Sequence, residues 1–436
     1  MIINFSIKNF RSIKDNVELS FEPDSSKVLE DYYIIDAAPG HRLLKLGLIY
    51  GANGSGKTTI LAALDFLRKL VLLPAEKKTE QLNFKPFLFD EVSPDENSRF
   101  ILNFLQHGIR YKYTLEFNRD CILKERMDYY DSSKAMVYER ITDTIKQLST
   151  IEFGSKIKIN KAHKSILEGN TLWNTTVLGS FLKTNIESID LKNATDWFED
   201  TLKSLIVPRT NLFSLVNNAI QDGKISKGQL LSLLKAADFR INDIVIEKDL
   251  GTFEQLKDKI TLDFTNPSLI GPGFRVNADG ALERTQVFFQ HQVERNDKAH
   301  YYILPFGEES EGTQRYYQFS GLAALMINGE SVFMIDELES SLHPDLLRHF
   351  LLTFLVNAKS SQLIVTTHHR ELLMDRDILR NDVIWFSEKK DDGSMDLYSL
   401  GDFDSSVIRN TSSVFNAYKT GKLGAIPELG DYYLNF

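Results

Sequence analysis

Hydrophobic and polar positions alternate from the first residues of the chain. Ile3, Phe5 and Ile7, then Val17, Leu19 and Phe21, flank a polar stretch from Arg11 to Asn16, which predicts a β-hairpin. From Leu43 to Tyr50 the run is mostly apolar and stops at Gly51, the pattern of a buried central strand. Beyond Thr58, apolar residues recur at three and four (Ile60, Leu61, Leu64, Leu67, Leu70, Val71), predicting an amphipathic helix that ends near Pro74. Phe100–Phe104 and Tyr111–Phe117 alternate around His107-Gly108, a second hairpin.

The middle, about residues 135–245, is rich in Lys, Asn, Ser and Leu, with helical spacing in Leu202–Val216 and Gly228–Ala237. It reads as a mainly helical insertion carrying an assembly or partner contact. Alternation returns over 246–306. A helix follows from Arg315 to Met326, a short buried strand at Ser331–Ile335, a helix at Asp345–Val356 and a buried strand at Leu363–Thr367. Strands alternating with helices predict an α/β fold with a mostly parallel sheet and an antiparallel β subdomain. The chain therefore divides into 1–134, one half of an α/β domain, the insertion 135–245, and 246–436, the other half.

Composition narrows the class. With 42% hydrophobic and 25% charged residues, the 436-residue chain can bury a sizeable core. A net charge of -9 argues against a uniformly basic nucleic-acid coat. One local basic run, Lys156, Lys158, Lys161, His163 and Lys164, could meet phosphates or form the wet face of a strand, since Ile157 and Ile159 alternate with its lysines. The single Cys121 leaves no intrachain disulfide, reads as a small buried hydrophobe and fits a reducing compartment. The start lacks the zones of a signal peptide and no apolar run is long enough to span a bilayer, so a cytoplasmic protein with no membrane contact is expected.

The chemistry concentrates after the central strand. Gly51, Ala52, Asn53, Gly54, Ser55, Gly56, Lys57 and Thr58 fit G-x-x-x-x-G-K-[ST] between a strand and a helix. The glycines let backbone N–H groups converge on phosphate oxygens, with Thr59 opening the helix. Lys57 reaches the β and γ phosphates and Thr58 ligates Mg²⁺. A carboxylate at a neighbouring strand end is then required, and Val332–Ile335 delivers Asp336 for Mg²⁺ and Glu337 to orient or deprotonate a water. No guanine-reading motif is present. The expected activity is Mg²⁺-dependent hydrolysis of a nucleoside triphosphate; that it is ATP, cleaved to ADP and phosphate, rests on family resemblance alone.

The order of these elements resembles the ABC-type ATP-binding heads of SMC, RecF and OLD-like proteins, carried by Ile7-Lys-Asn-Phe-Arg-Ser12, Asp336-Glu-Leu-Glu-Ser-Ser-Leu-His-Pro344 and Leu363-Ile-Val-Thr-Thr-His368. The fold it implies is a P-loop NTPase of ABC-head type. The resemblance makes His368 the γ-phosphate sensor and turns Ser340 and Ser341 towards a second subunit. Ser310 and Gly312 in Ser310-Glu-Gly312-Thr-Gln314 look like the signature that reaches the opposite subunit's nucleotide, although Glu309 and Glu311 depart from the usual pattern. Capping the following helix is the alternative for Ser310. The nearest likeness is to prokaryotic AAA-family ATPases of phage-defence and abortive-infection operons, and the tail from Ala417 to Pro427 looks like their C-terminal segment. It implies a homodimer or higher homo-oligomer and a separately encoded effector. An ATP-gated clamp on DNA or RNA is the rival.

Other groups are weaker. Gln81 is the nearest candidate for a Q-loop glutamine. Asp402-Phe-Asp404 mimics a Toprim metal pair, but too little chain follows His368 for that nuclease, so a loop carboxylate pair is expected. His368-His369 lacks further ligands at zinc spacing.

Overall fold

All five residues of Leu46–Tyr50 are buried, because the strand occupies the centre of a five-stranded sheet. The computed structural model describes residues 1–131, 133–237, 239–251, 274–276, 282–340, 342–375, 378–403 and 414–426. They fall into two units, Met1–Val207 with Glu330–Leu338 and Lys359–Phe436, and Pro208–Gly329 with Glu339–Ala358.

In the first unit the strand order is Val332–Ile335, Gln362–Thr366, Leu46–Tyr50, Ile384–Lys389 and Met395–Ser399. The first four pair in parallel and the last is antiparallel. Parallel pairing brings Gly51, Asp336 and His368 to one carboxyl edge, where α/β sheets hold their ligands. This is the α/β organisation the alternation of elements predicts.

A seven-stranded antiparallel sheet completes the unit, in the order Leu148–Phe153, Lys134–Asp143, Ile122–Tyr130, Ile109–Phe117, Ser98–Gln106, Ile2–Lys8 and Val17–Ser20. Both expected hairpins are present. His107 and Gly108 turn the second with φ of 50° and 73°, as a tight two-residue hairpin turn requires. The helix Lys57–Leu72 is fixed against this sheet by aromatic packing: Phe66 lies 5.6 Å from Phe117, which meets Phe84 at 4.9 Å and Phe100 at 5.0 Å. Such ring pairs add about 0.5–1.5 kcal/mol each beyond area burial.

The expected insertion 135–245 is divided differently. Lys134–Asp143 and Leu148–Phe153 extend the antiparallel sheet, so the expected boundary at 134/135 cuts the start of a strand. Leu202–Ile206 is extended, with parallel bridges from Leu202 to Val332 and Ile206 to Ile335. Its leucine spacing reflects burial on a sheet edge, and the helix begins only at Phe213. The basic run lies in a loop and the helix Lys161–Asn170, where Lys164 faces Glu168 at 3.9 Å. Leu202, Leu212, Leu230 and Leu234 are buried within the chain.

In the second unit, Leu282–Arg295 pairs with Ile241–Gly251, Phe274–Val276 and Lys298–Pro305. The helix Glu311–Asn328 presses Gly321 so closely onto Val216 that a Cβ there would lie 2.3 Å from its methyl carbon.

Candidate nucleotide and magnesium site

The loop from Gly51 to Gly56 is shaped by what no side chain could do. Gly54 and Gly56 have φ of 79° and 103°, a backbone region that glycine enters without steric cost. A Cβ on Gly51 would lie 2.4 Å from the Ser387 carbonyl oxygen and 2.5 Å from Ser55 Oγ. The loop is braced from the neighbouring strand: Ser387 Oγ donates to the Ser55 carbonyl at 2.9 Å and lies 3.2 Å from Ser55 Oγ. Ser12 Oγ meets Thr59 Oγ1 at 2.9 Å, tying the N-terminal hairpin to the helix start. Among the described residues, the Gly54 and Gly56 amides have no hydrogen-bond acceptor. Lys57, buried at the first helical position, donates Nζ to the Gly51 and Ala52 carbonyls at 2.8 and 2.9 Å. Loop amides, a helix N-terminus and a lysine gathered around one turn form a cradle for phosphate.

Thr58 and Asp336, 278 positions apart in sequence, are in contact: Thr58 Oγ1 lies 3.0 Å from both carboxylate oxygens. The carboxylate also accepts from Thr366 Oγ1 at 2.5 Å, and the Asp336 amide donates to the Ile206 carbonyl at 2.8 Å. A hydroxyl and a carboxylate held together beside a phosphate cradle are the hard oxygen donors Mg²⁺ takes, completed by phosphate and water. When bound, Mg²⁺ would neutralise charge on the phosphates. Glu337 is exposed and has φ of 48°, strained for a residue with a side chain. Its amide donates to Thr366 Oγ1 at 2.9 Å, so a single hydroxyl fixes both neighbouring acidic residues. His368 lines a cleft of about 660 Å³ together with Gly51, Ala52, Asn53 and Ser55.

Thr366, Ser387 and Ser12 are the supports that pattern reading misses as site residues. A small polar Ser387 directly after the apolar run Ile384–Phe386 is the signal that could have found one of them.

Ser310 and Gly312 belong to the second unit. There Ser310 Oγ accepts from the Thr313 amide at 3.1 Å and caps Glu311–Asn328, the alternative role considered for it, while a Cβ on Gly312 would meet nothing closer than 3.8 Å. Gln81 lines a second cleft that Thr58 and Arg11 share, and its amide donates to Asp120 at 2.8 Å. Asp402 accepts from the Ser399 amide at 2.9 Å and closes a capping box. Ser341, Asp404 and Pro427 lie outside the described residues. Among those described, no helix is long and apolar enough to cross a membrane.

A family profile described as "AAA domain, putative AbiEii toxin, Type IV TA system" matches residues 48–375, well over half of the chain and the stretch from Gly51 to His368 that carries the phosphate and Mg²⁺ candidates. The chain belongs to this AAA family. Two solved structures are also similar to it. The SMC head domain from Thermotoga maritima has 13% identity and a TM-score of 0.42, covering 91% of this chain and 98% of that one. An SMC head bound to the C-winged helix domain of ScpA has 14% identity and a TM-score of 0.37, covering 91% and 97%. No curated protein matches the sequence.

Proposed function

We propose that this AAA-family protein is an ATP-hydrolysing switch with an ABC-type head. The observation that carries the reading is the contact between Thr58 and Asp336, with Glu337 following directly and the phosphate cradle beginning at Gly51. Gly51, Ala52, Asn53, Gly54, Ser55, Gly56 and Thr59 surround the phosphates, Lys57 neutralises the β and γ oxygens, and Thr58 and Asp336 hold Mg²⁺. Glu337 orients or deprotonates the attacking water, and His368 senses the γ-phosphate.

Two heads would sandwich ATP, with Ser310 and Gly312 of each reaching the nucleotide of the other. ATP then has differential affinity for the closed dimer, which any ligand-driven switch requires. The test is light scattering of Glu337→Gln with and without ATP, and again with Ser310→Arg. ATP-dependent association that Ser310→Arg abolishes supports the sandwich, and a mass indifferent to both overturns it. On this reading the protein is cytoplasmic and governs a separately encoded effector in phage defence. The assembly or effector contact expected of 135–245 falls on Ile141, Ile145 and Leu148, exposed at one hairpin end, because Leu202, Leu212, Leu230 and Leu234 are buried within the chain. Ile145→Asp should then lose effector capture or assembly while keeping ATP binding. The rival reading, an ATP-gated nucleic-acid clamp in DNA repair or DNA metabolism, would need the basic run at 156–164. The self-pairing of Lys164 and the net charge of -9 favour the switch.

A further inference from the structure

The cleft that His368 shares with the phosphate loop has another wall, built from Arg370, Glu388, Lys389, Tyr418, Ala425 and Ile426. Arg370 stands two residues beyond His368, at the start of the helical turn Arg370–Met374, and is half-buried. Among the described residues, no carboxylate or carbonyl holds its guanidinium. A half-buried guanidinium that no anion holds among the described residues, in a cleft it shares with the phosphate loop, is available to a phosphate group.

The wall is built to keep it there. The helix Val414–Lys419 packs on the turn Arg370–Met374. Tyr418 stacks on Phe386 at 5.4 Å and meets Tyr50, the residue before Gly51, edge-on at 6.1 Å. Its hydroxyl donates to the Ala425 carbonyl at 3.0 Å. Burial pushes the Tyr418 phenol above its usual range, with the Arg370 guanidinium that lines the same cleft acting in the opposite direction. The segment then returns to the sheet: the Ala425 amide donates to Glu388 Oε1 at 3.0 Å, and the Tyr398 hydroxyl, with one proton to donate, lies 2.8 Å from the Leu423 carbonyl and 3.1 Å from Glu388 Oε2. Gly424 has φ of 63°, and a Cβ there would lie 2.4 Å from the Tyr398 hydroxyl. Glu388 directly follows Ser387, the residue that braces Ser55, so the C-terminal segment and the phosphate loop share one strand as their anchor.

We propose that Arg370 is a cis-acting cation of the nucleotide cleft, contacting the terminal phosphate of a bound nucleoside triphosphate, and that the segment Val414–Ile426 holds it in place. This rests on the ATPase reading and adds a group to it. A guanidinium supplied from the same chain stabilises charge on the outer phosphate oxygens, and its contact is lost once that phosphate leaves. Arg370 therefore distinguishes ATP from ADP.

Equilibrium titration of the full chain with ATP, ADP and a non-hydrolysable ATP analogue, each with Mg²⁺, tests it. Arg370→Ala should retain ADP affinity, lose at least about tenfold in affinity for ATP and its analogue, and slow turnover by about 10²-fold or more. Arg370→Lys should recover part of both. Gly424→Val, which displaces the tail, should also lower the ATP-to-ADP affinity ratio. A wild-type affinity ratio in Arg370→Ala, or loss of the ratio in Lys389→Ala with Arg370→Ala behaving as wild type, would overturn the assignment. An unaltered ratio in Gly424→Val would overturn the role of the tail. Lys57→Ala is measured alongside. If the wild type shows no nucleotide binding that Lys57→Ala removes, the ATPase reading itself fails; if it does, a negative result for Arg370 counts against this inference alone.

Discussion

Two polar clusters in the first unit, one fully buried and one open to a cleft, are finished in opposite ways. Around Glu125 and Arg140, both fully buried and 3.9 Å apart, the protein supplies almost every partner. Tyr113 and Tyr138 donate to Glu125 Oε1 at 2.9 and 2.7 Å, and the Val177 amide donates to Oε2 at 2.8 Å. Arg140 donates to Ser149 and to the carbonyls of Leu172 and Trp173. Burial nevertheless pushes the Glu125 carboxyl above its usual range, with Arg140 opposing it. In the phosphate loop, by contrast, two glycine amides have no acceptor among the described residues and Lys57 rests on carbonyls. A buried cluster that closes on itself fixes structure, whereas one that leaves donors facing a cleft is arranged for a ligand.

The sharpest way to break this comparison is a pair of substitutions. Lys57→Ala should remove measurable nucleotide binding with little change in the urea midpoint. Arg140→Ala should leave the loop residues untouched and cost about 3–5 kcal/mol of stability, because it strands a buried carboxyl. Binding by isothermal titration and unfolding by urea on both proteins separates the two. Equal losses in both assays for both variants would erase the distinction.

A smaller effect should come from Thr366→Val. It removes the hydroxyl that donates to Asp336 and accepts from the Glu337 amide. Turnover should fall about 10–100-fold and the Mg²⁺ concentration giving half-maximal rate should rise, while nucleotide affinity at saturating Mg²⁺ changes little. An unchanged Mg²⁺ dependence would show that Thr366 does not orient the metal pair. Smallest of all, Asp402→Ala should cost about 0.5–2 kcal/mol through its lost capping box and leave ATP turnover unaltered. A lost activity there would bring the carboxylate pair back as a functional site.

The legibility of the chain follows the same division. Residues 43–72 were readable because strand burial, positive-φ glycines and helical spacing are local properties and agree with the tertiary result. The spacing of Leu202–Ile206 predicts a helix because an extended edge can carry the same leucine pattern, and the pairing with Val332–Ile335 that decides between them lies far away in sequence. The strands within Lys134–Phe153 are illegible locally for the same reason: they are defined by pairing to Ile122–Tyr130 and to each other. Acidic residues at strand ends are visible as types, but Thr366 and Ser387 acquire meaning only from register, and Arg370 from the C-terminal segment folded beside it.

The central claim is that Glu337 acts on water at a site where Lys57, Thr58 and Asp336 bind the nucleotide and its metal. Single-turnover hydrolysis of ATP by wild type and Glu337→Gln, with ATP affinity measured on the same preparations, tests it most directly. The account predicts Mg²⁺-dependent hydrolysis by the wild type. It also predicts near wild-type ATP affinity in Glu337→Gln, with a chemical step slower by at least about 10²-fold. Hydrolysis by Glu337→Gln at the wild-type rate would contradict it.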